Sequence, residues 1–598
     1  MKRLAALLLA AAATPAIAAE LPADAEAVAR EEALDQGSAA QAPVPAILTA
    51  EQRDGYRAVF ALIRAQDWAG AAARLDAVPE GPLHNTARAR LYLAPGSPRV
   101  EMQPLLALVA AARELPQAEQ LNRLAATRGA VELPNLPEQQ RLVGQPGQPR
   151  RGRARAIRGA PEVARLDALI QPLIVADRPG EAEALLTARE VELTEEVRTE
   201  FLQRVAWSHF LIGNDADATR LADRARTGQG EFVPHADWVS GLAAWRLNDC
   251  TAAAEAFAST ARRTTDQELA AAGHYWAARA DMKCRHPERV QAHLRSAARM
   301  GETFYGILAS RALGMRQSTI PNSGSLARAD WRSLGNRSNV REAIALTEIG
   351  ERAAADEHLR HQARIGRPSE HEALIQVAAR LNLTGTQMWL AHNAPRGVTI
   401  DPLARYPLPN WAPPRGWRVE RGLAFAHALQ ESNFRPDAVS PAGARGLMQV
   451  RPGTAGDLAR WRGESAAGIE LTEPNTNVEF GQSYLEYLRD LPATGGLLPK
   501  VIAAYNAGPG PVPEWTARGL DGGDPLLFIE SIPYWETRGY VPIILRNYWV
   551  YEQRIGRAGA SRAALVQGLW PRFPGMSGPN AVRLQAQPRQ QQPAMGSR

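Results

Sequence analysis

Residues 425–455 read FAHALQESNFRPDAVSPAGARGLMQVRPGTA, and this stretch decides the fold of the second half of the chain. Apolar residues recur at helical spacing before Glu431 and predict a buried helix that leads into this glutamate. A carboxyl group in that place loses contact with water and lies near the partial negative charge of the helix C-terminus. Both effects favour the protonated form, so we expect Glu431 to donate a proton near neutral pH.

Two further strings follow in order along the chain. Residues 502–510 read IAAYNAGPG and contain Tyr505, and residues 532–545 read IPYWETRGYVPIIL and contain Glu536. Three ordered motifs of this length rarely occur together by chance. Together they resemble the soluble lytic murein transglycosylase family, in which a catalytic domain with a goose-type lysozyme-like fold follows an N-terminal helical superhelix.

The resemblance implies a reaction and an active site. It implies that one glutamate, here Glu431, protonates the β-1,4 glycosidic oxygen between N-acetylmuramic acid and N-acetylglucosamine in peptidoglycan. Glu431 then removes the proton of the sugar's C6 hydroxyl, which attacks C1 and leaves a 1,6-anhydromuramic acid end. No metal or other cofactor is implied. The residues that the resemblance places near the substrate are Ser440, Met448, Gln449, Tyr505, Asn506, Glu536 and Tyr540.

Several of these residues also have simpler interpretations. Ser440 precedes a proline, where serine often serves only as a turn residue. Tyr505 could be a packed aromatic residue with a satisfied hydroxyl, and Glu536 could be structural and pair with Arg538 or another basic residue. Arg451 stands where many family members have methionine, and it either contacts an acidic group of the substrate or points to solvent.

The N-terminal half has the pattern of a helical repeat. From about residue 50 to 390 it is rich in Ala, Leu and Arg at helical spacing. Aligning GLAAWRLNDCTAAAEAF with HYWAARADMKCRHPERVQAHL places Cys250 over Cys284, an offset of 34 residues, the length of a tetratricopeptide-type hairpin. We therefore predict a mainly α protein, with an N-terminal α-superhelix of stacked hairpins followed by a lysozyme-like, predominantly helical catalytic domain. Whether the superhelix forms a ring or an arc stays open.

Composition divides the chain into five predicted parts. These are a leader at 1–19, an α-helical superhelical domain at 20–390 with a basic loop at 144–160, a Pro-rich linker at 391–416, a catalytic domain at 417–557 and a largely disordered tail at 558–598. Prolines in RYPLPNWAPPRGW fix φ and remove backbone donors, so helices end there. The last residues are rich in Gln, Pro and Gly and contain no acidic residue, which predicts disorder.

The N-terminus and the charge indicate an exported protein. MKRLAALLLAAAATPAIAAE has the basic start, short apolar run and small residues of a secretory signal peptide, and the run is too short to span a bilayer. We expect a soluble periplasmic protein. The formal net charge is +6, or about +4 without Lys2 and Arg3, which argues against a nucleic-acid partner. The arginines between Arg150 and Arg158 are interpreted as a solvated basic loop that could attract an anionic cell-wall polymer.

The cysteines and the lone histidine of the Glu431 helix have structural interpretations. An oxidising compartment permits a disulfide between Cys250 and Cys284, the only two cysteines. Equivalent positions of stacked repeats are usually too far apart for a bridge, so a disulfide and two buried thiols stay as alternatives. No metal-ligand cluster accompanies His427, which is interpreted as a structural histidine.

The expected partners are peptidoglycan strands and, through the helical array, cell-wall synthesis proteins. Two other functions stay open at this point. One is a lysozyme-like hydrolase in which a second carboxylate, with Asp437 the nearest in sequence, recruits water. The other is a noncatalytic glycan-binding scaffold that uses the helical array.

Overall fold

The computed structural model of the protein describes residues 44–315, 331–554 and 559–585, and it is mainly helical. The helices of the first part are α1 (Ala50–Arg64), α2 (Trp68–Ala77), α3 (His84–Leu93), α4 (Met102–Ala111), α5 (Ala118–Thr127), α6 (Pro161–Val175), α7 (Pro179–Thr187), α8 (Glu195–Ile212), α9 (Asp215–Arg226), α10 (Val233–Arg246), α11 (Cys250–Arg263), α12 (Gln267–Lys283), α13 (Pro287–Ala298), α14 (Phe304–Ala312), α15 (Ser338–Glu348), α16 (Arg352–Ile365), α17 (His371–Arg380) and α18 (Thr384–His392). Those of the second part are α19 (Arg421–Ser432), α20 (Pro452–Trp461), α21 (Pro474–Asp490), α22 (Leu498–Ala507), α23 (Pro511–Ala517), α24 (Pro525–Glu530), α25 (Trp535–Arg554) and α26 (Ala560–Val566).

Short strands join distant parts of the chain. Strand β1 (Leu142–Gly144) pairs antiparallel with β2 (Asn393–Pro395), and β3 (Trp570–Pro571) pairs antiparallel with β4 (Ala581–Val582). The β1–β2 pair connects the basic segment to the end of the helical part. The β3–β4 pair lies beyond residues 417–557, which we call the catalytic part after the prediction from the sequence.

Capping residues in the sequence set the helix boundaries of the array. The side chain of Asp249 accepts a hydrogen bond from the backbone of Ala252 at the start of α11, and Asp266 does the same for Leu269 in α12. At the end of α8, Gly213 adopts a left-handed conformation with φ of 88°, which glycine tolerates without steric cost. The connections are therefore short, and consecutive helices form hairpins.

The disulfide alternative is the one that the structure contains. Cys250 and Cys284 are bonded, with their Cα atoms 5.6 Å apart. Cys250 begins α11 and Cys284 directly follows α12, so the two lie in neighbouring turns on one side of the stack. Lys283 Nζ also donates to Asn248 Oδ1 at 2.9 Å between these turns. Turns of successive hairpins thus approach closely here, which removes the expected obstacle of distance.

The helical array closes on itself, which answers the question of a ring or an arc. Helices α1–α3 share a buried core with α15–α18, although more than 200 residues separate them in the sequence. Thr86 Oγ1 donates to Glu342 Oε2 at 2.7 Å, and Arg90 pairs with Glu357 at 2.6 Å. These contacts bring the first described helices against the last helices of the array.

The catalytic part packs directly on the array. Phe304 of α14 stacks on Trp549 of α25, with ring centroids 5.2 Å apart. Glu268 of α12 pairs with the buried Arg546 at 3.0 Å. Because side chains of both parts also belong to one hydrophobic cluster, the array holds the catalytic part in a fixed place.

The basic loop is only partly solvated. Four of its five arginines are exposed, as the solvated interpretation predicts, but Arg151 is not. Its guanidinium forms an ion pair with Glu530 at 2.6 Å and lies over the Trp238 ring at 5.1 Å. Pro149 O also accepts a hydrogen bond from Arg546. The segment therefore runs between the helical and catalytic parts, and Arg151 joins them.

The predicted linker is packed rather than free. Residues 391–416 contain β2 and a 3-10 turn at Pro402–Arg405, and Tyr406 and Trp411 are buried. Proline stops the helices here, as expected, but the aromatic side chains attach the segment to the core.

The expectation of a largely disordered tail from residue 558 is wrong for residues 559–585. This stretch forms α26 and the β3–β4 pair, and Trp570 and Phe573 are almost fully buried. Trp570 Nε1 donates to Gly523 O at 2.8 Å, and Phe573 N donates to Gly496 O at 2.7 Å. Two aromatic anchors fix a segment whose average composition is typical of disorder. Residues 586–598 lie outside the described residues.

The predicted leader at 1–19 also lies outside the described residues. Within the ranges that the structure describes, no helix has the length and apolarity needed to cross a membrane.

Candidate active site

Helix α19 carries Glu431 in its last turn. The residues from Gly422 to Leu429 are buried, so one end of a core helix presents the glutamate. The helix stops at Asn433, which adopts a left-handed conformation with φ of 51°. Ser432 Oγ lies 3.1 Å from Ala428 O and 2.8 Å from Leu447 O, and so links the helix end to the following loop.

The surroundings of Glu431 favour a protonated carboxyl group. Its side chain is only partly exposed, and burial raises its pKa to about 7. This value also includes the hydrogen bond from Tyr540, which lowers the pKa, and the negative charge of Glu536, which raises it. A carboxyl group with a pKa near 7 can both give and take a proton at neutral pH, because neither form is strongly preferred.

Two tyrosines and a histidine form the wall beside the carboxyl group. Tyr540 Oη donates to Glu431 Oε1 at 2.6 Å, and Tyr505 Oη donates to Met448 O at 2.8 Å. His427 is fully buried one turn earlier on α19, with its ring centroid 4.7 Å from that of Tyr505. Burial lowers the pKa of His427 to about 4, so this ring is neutral and packs as a structural residue.

The loop after α19 uses its polar side chains largely to hold its own shape. Ala444 N donates to Ser440 Oγ at 3.0 Å, so Ser440 is a turn residue that still has a hydroxyl proton to donate. Gln449 Nε2 donates to Ala438 O and Gly446 O, at 3.1 and 2.8 Å. Both amide hydrogens of Gln449 are thus occupied, and it can meet a substrate only through its amide oxygen.

The Met448 side chain is packed inside the protein. It is fully buried against Gly481 of α21, where a Cβ atom would lie 2.3 Å from the Met448 sulfur. The backbone of Met448 therefore lies near the site, whereas its thioether does not. Its carbonyl oxygen accepts from Tyr505, and its N–H donates to Asn477 Oδ1 at 2.7 Å.

Sequence reasoning missed Asn477, which positions this loop. The fully buried side chain of Asn477 also donates to Arg445 O and Leu471 O, each at 2.8 Å. A Cβ atom at Gly446 would lie 2.2 Å from Asn477 Nδ2, and Gly446 has φ of 76°, so glycine is required there. A lone asparagine near a helix start carries no sequence signal for this role.

The last motif contributes from the start of α25. Glu536 is exposed, and among the described residues no ion pair joins it to Arg538. Thr537 Oγ1 donates to Asn506 Oδ1 at 2.6 Å, which ties the second motif to the third. Asn506 thus holds the wall of the site together.

A cavity of about 400 Å³ opens beside this wall and extends to the helical part. Glu536, Tyr540 and Gln430 line it, together with Arg150 and Tyr305 of the N-terminal half. A larger cavity of about 810 Å³ shares Trp535 and Arg538 with it and lies between α8, α10 and the start of α25. Each cavity is therefore bordered by both parts of the chain, and Glu431 itself lines neither of them.

Arg451 is exposed, and its charge acts on the hydroxyl of Tyr484, which packs against Tyr505 at 5.3 Å between ring centroids. Of the two interpretations of Arg451, the structure shows the side chain at the surface. Tyr484 was not among the predicted site residues, although it lies in the sequence SYLEYL, where two tyrosines share one helix face.

Comparisons with known proteins show similarity to one domain family over the segment that contains Glu431. Residues 413–523 match the Transglycosylase SLT domain family. Over 152 residues the chain is 39% identical to the soluble lytic murein transglycosylase of Salmonella typhimurium, and over 144 residues it is 41% identical to the protein of the same name from Escherichia coli K12. Each match covers 24% of this chain and only 23% and 22% of the respective relative.

The likeness to a solved structure extends further along the chain. The fold resembles that of the lytic transglycosylase Slt from Pseudomonas aeruginosa, with a TM-score of 0.50 and 21% identity over 85% of this chain and 74% of that chain. At this identity the likeness shows the fold alone. It covers the helical array as well as the domain that contains Glu431. Residues 413–523 are therefore similar to the Transglycosylase SLT domain family, and in this chain they follow a closed array of α-helices.

Proposed function

We propose that this protein is a lytic transglycosylase that cleaves the β-1,4 bond between N-acetylmuramic acid and N-acetylglucosamine in peptidoglycan. The observation that carries the proposal is the carboxyl group of Glu431, at the end of a buried helix, with a pKa raised to about 7 by burial. The family match of residues 413–523 supports the substrate class.

In the proposed reaction, one residue acts first as an acid and then as a base. Protonated Glu431 gives its proton to the glycosidic oxygen as the bond from this oxygen to C1 breaks. The substrate's N-acetyl group stabilises the positive charge at C1. The Glu431 carboxylate then takes the proton of the C6 hydroxyl, whose oxygen bonds to C1 and forms the 1,6-anhydro ring. No water is consumed, and Glu431 returns to its starting state.

The other side chains are proposed to orient this chemistry. Tyr540 stabilises the carboxylate form of Glu431 through its hydrogen bond of 2.6 Å. Ser440 donates its free hydroxyl proton to the acetamido group, and the amide oxygen of Gln449 accepts from a sugar hydroxyl. Tyr505 and Asn506 act through the wall that they hold in place.

Export to the periplasm, where peptidoglycan lies, belongs to the proposal and is supported by the leader-like sequence at 1–19. Docking of cell-wall synthesis proteins on the helical array is a further part of it, supported by the extended surface that stacked hairpins offer.

Mass spectrometry of muropeptides released by the purified full-length protein tests the proposal. Anhydromuramic ends weigh one water less than hydrolysed ends, so a transglycosylase releases the lighter product. Products with the mass of hydrolysed ends, or no products at all, would contradict the assignment.

A lysozyme-like hydrolase is the second candidate, because the charge of a second carboxyl group, that of Glu536, acts on Glu431. A hydrolase needs such a group as a base or nucleophile. Under this alternative, Glu536→Gln abolishes product formation and the wild-type product contains the added water. Under the transglycosylase proposal, Glu536→Gln still yields anhydro ends, and the pKa of Glu431 falls because a nearby negative charge is removed.

The pH dependence of Tyr540→Phe is a separate prediction. Wild-type kcat/KM is expected to fall as pH rises through about 7, because the reaction starts from protonated Glu431. The Tyr540 hydrogen bond lowers the pKa of Glu431. Its loss should therefore move the falling limb of the kcat/KM profile to higher pH, by about one pH unit. The rate should also fall, because the carboxylate loses a donor. A pH–rate profile measures both changes.

Tyr505→Phe is the matched control for this prediction. The Tyr505 hydroxyl donates to Met448 O and not to Glu431. Its removal should therefore leave the pH midpoint of the falling limb nearer that of the wild type. A downward shift in Tyr540→Phe, or equal shifts in both variants, would contradict the assigned contact.

A further inference from the structure

A row of aromatic rings leads from the surroundings of Glu431 to the protein surface. Tyr505, whose pKa is raised well above its usual value by burial and by the nearby Glu431 charge, packs on Tyr484 at 5.3 Å between ring centroids. Tyr484 stacks on Tyr487 at 6.1 Å with an interplanar angle of 20°, and Tyr487 packs on Trp461 at 4.9 Å. We call Tyr484, Tyr487 and Trp461 the aromatic row.

The outer end of the aromatic row is open to solvent. Trp461, the last residue of α20, is 64% exposed. Contiguous exposed apolar side chains commonly mark binding surfaces. One face of the Trp461 ring is covered by Tyr487, and the exposure shows that much of the remainder is free. The row therefore supplies accessible aromatic surface at a distance from the catalytic carboxyl group.

The polar groups of the row are also available. Tyr484 and Tyr487 lie three residues apart on one face of α21, and each is partly exposed. Neither hydroxyl is hydrogen-bonded to another of the described residues. A tyrosine with an unpaired hydroxyl offers an apolar ring and a donor and acceptor at its tip.

These features fit a sugar chain more closely than another ligand. A pyranose ring presents C–H groups on its faces and hydroxyls at its edge, which match aromatic faces and phenol hydroxyls. The rings of the row follow one another at separations comparable to the size of one sugar. The row is also continuous with Tyr505 beside Glu431, so a strand held in the site would meet it.

We propose that the aromatic row is a distal glycan-binding site, which holds the sugar strand several units away from the bond that is cleaved. The inference rests on the proposed function and adds to it a binding site that only long strands occupy. Long strands reach Trp461 and short ones do not, so the row favours long glycan strands.

Binding of peptide-free glycan strands to full-length Glu431→Gln protein tests the inference. Calorimetry compares this parent with the same protein carrying Trp461→Ala, using long strands and a disaccharide of the same sugars. Loss of one aromatic stacking surface should raise Kd for long strands about five- to tenfold. The change for the disaccharide should be clearly smaller, since two sugars bound beside Tyr505 do not cover the three ring-to-ring steps from Tyr505 to Trp461.

Two further variants sharpen the test. Trp461→Phe keeps a ring and should recover most of the affinity for long strands. Tyr534→Ala removes another exposed aromatic residue of the same domain, one that packs on Trp515 and not on the row, and should keep the parent's length dependence. Equal Kd values for the parent and Trp461→Ala, or equal losses for both ligand lengths, would overturn the inference.

The outcomes also separate this inference from the proposed function. If the wild type releases anhydro products but Trp461→Ala binds long strands like the parent, only the aromatic row is wrong. If the parent binds no strands and the wild type releases no product, both are wrong.

Discussion

Replacing Glu431 with glutamine is expected to lower the release of anhydromuropeptides about 10³- to 10⁴-fold. Proton transfer by a positioned side chain contributes about 10²–10⁴ in rate, and here one carboxyl group performs both transfers. The amide of glutamine has nearly the same shape but neither donates a proton to the glycosidic oxygen nor takes one from the C6 hydroxyl. Mass spectrometry of digested peptidoglycan measures the loss.

Asp437→Asn is the matched control for this variant. Asp437 is the nearest acidic residue in sequence and is exposed in the structure. Neutralising it in the same isosteric way should leave activity near that of the wild type. Continued release by Glu431→Gln, or an equal loss in Asp437→Asn, would defeat the catalytic assignment and favour the noncatalytic or two-carboxylate alternatives.

Glu431→Gln also has a stability readout that does not depend on substrate. The folded-state pKa of about 7 exceeds the ordinary glutamate pKa of 4.5, so the folded state binds more protons than the unfolded state between these values. The free energy of unfolding therefore falls as pH rises through this window, by up to about 3 kcal/mol above pH 7. Glutamine removes this penalty, so the variant should melt at a higher temperature than the wild type at pH 8 and show little gain at pH 4.

Glu530→Ala is expected to lower the free energy of unfolding by about 3–5 kcal/mol. The carboxylate of Glu530 is buried and accepts two hydrogen bonds from Arg151, at 2.6 and 3.1 Å. It also accepts one from Tyr305 at 2.7 Å. Removing it leaves a largely buried guanidinium and a buried hydroxyl without their partner at the junction of the basic segment, α14 and α24. Urea unfolding measures the change.

Glu514→Ala provides the comparison at the surface. Glu514 pairs with Arg518 at 2.6 Å, but its side chain is 64% exposed, so water replaces the lost partner. This change should cost less than about 1 kcal/mol. Equal destabilisation by the two variants would show that the buried pair does not hold the catalytic part on the array.

The aromatic anchors beyond residue 558 show where composition misleads. Gln, Pro and Gly dominate the last residues, and an average over them predicts disorder. Trp570 and Phe573 are nevertheless buried against the catalytic part. Burial of one large aromatic side chain depends on a partner surface elsewhere in the chain, which local composition does not report.

The helical class could be read from the sequence alone, which also identified Glu431 as the residue to test and predicted a boundary near the proline-rich segment. Hydrophobic periodicity, proline positions and ordered motifs are local properties of the chain, so they can be recognised without knowing the long-range contacts.

Only the tertiary structure decided the closure of the array, the disulfide, the burial of Arg151 and the contact from Tyr540 to Glu431. Each of these joins residues that are far apart in sequence, from 34 residues for Cys250 and Cys284 to 379 for Arg151 and Glu530. The raised pKa of Glu431 has the same origin. Desolvation of a carboxyl group comes from everything packed around it, and that surrounding exists only once the chain has folded.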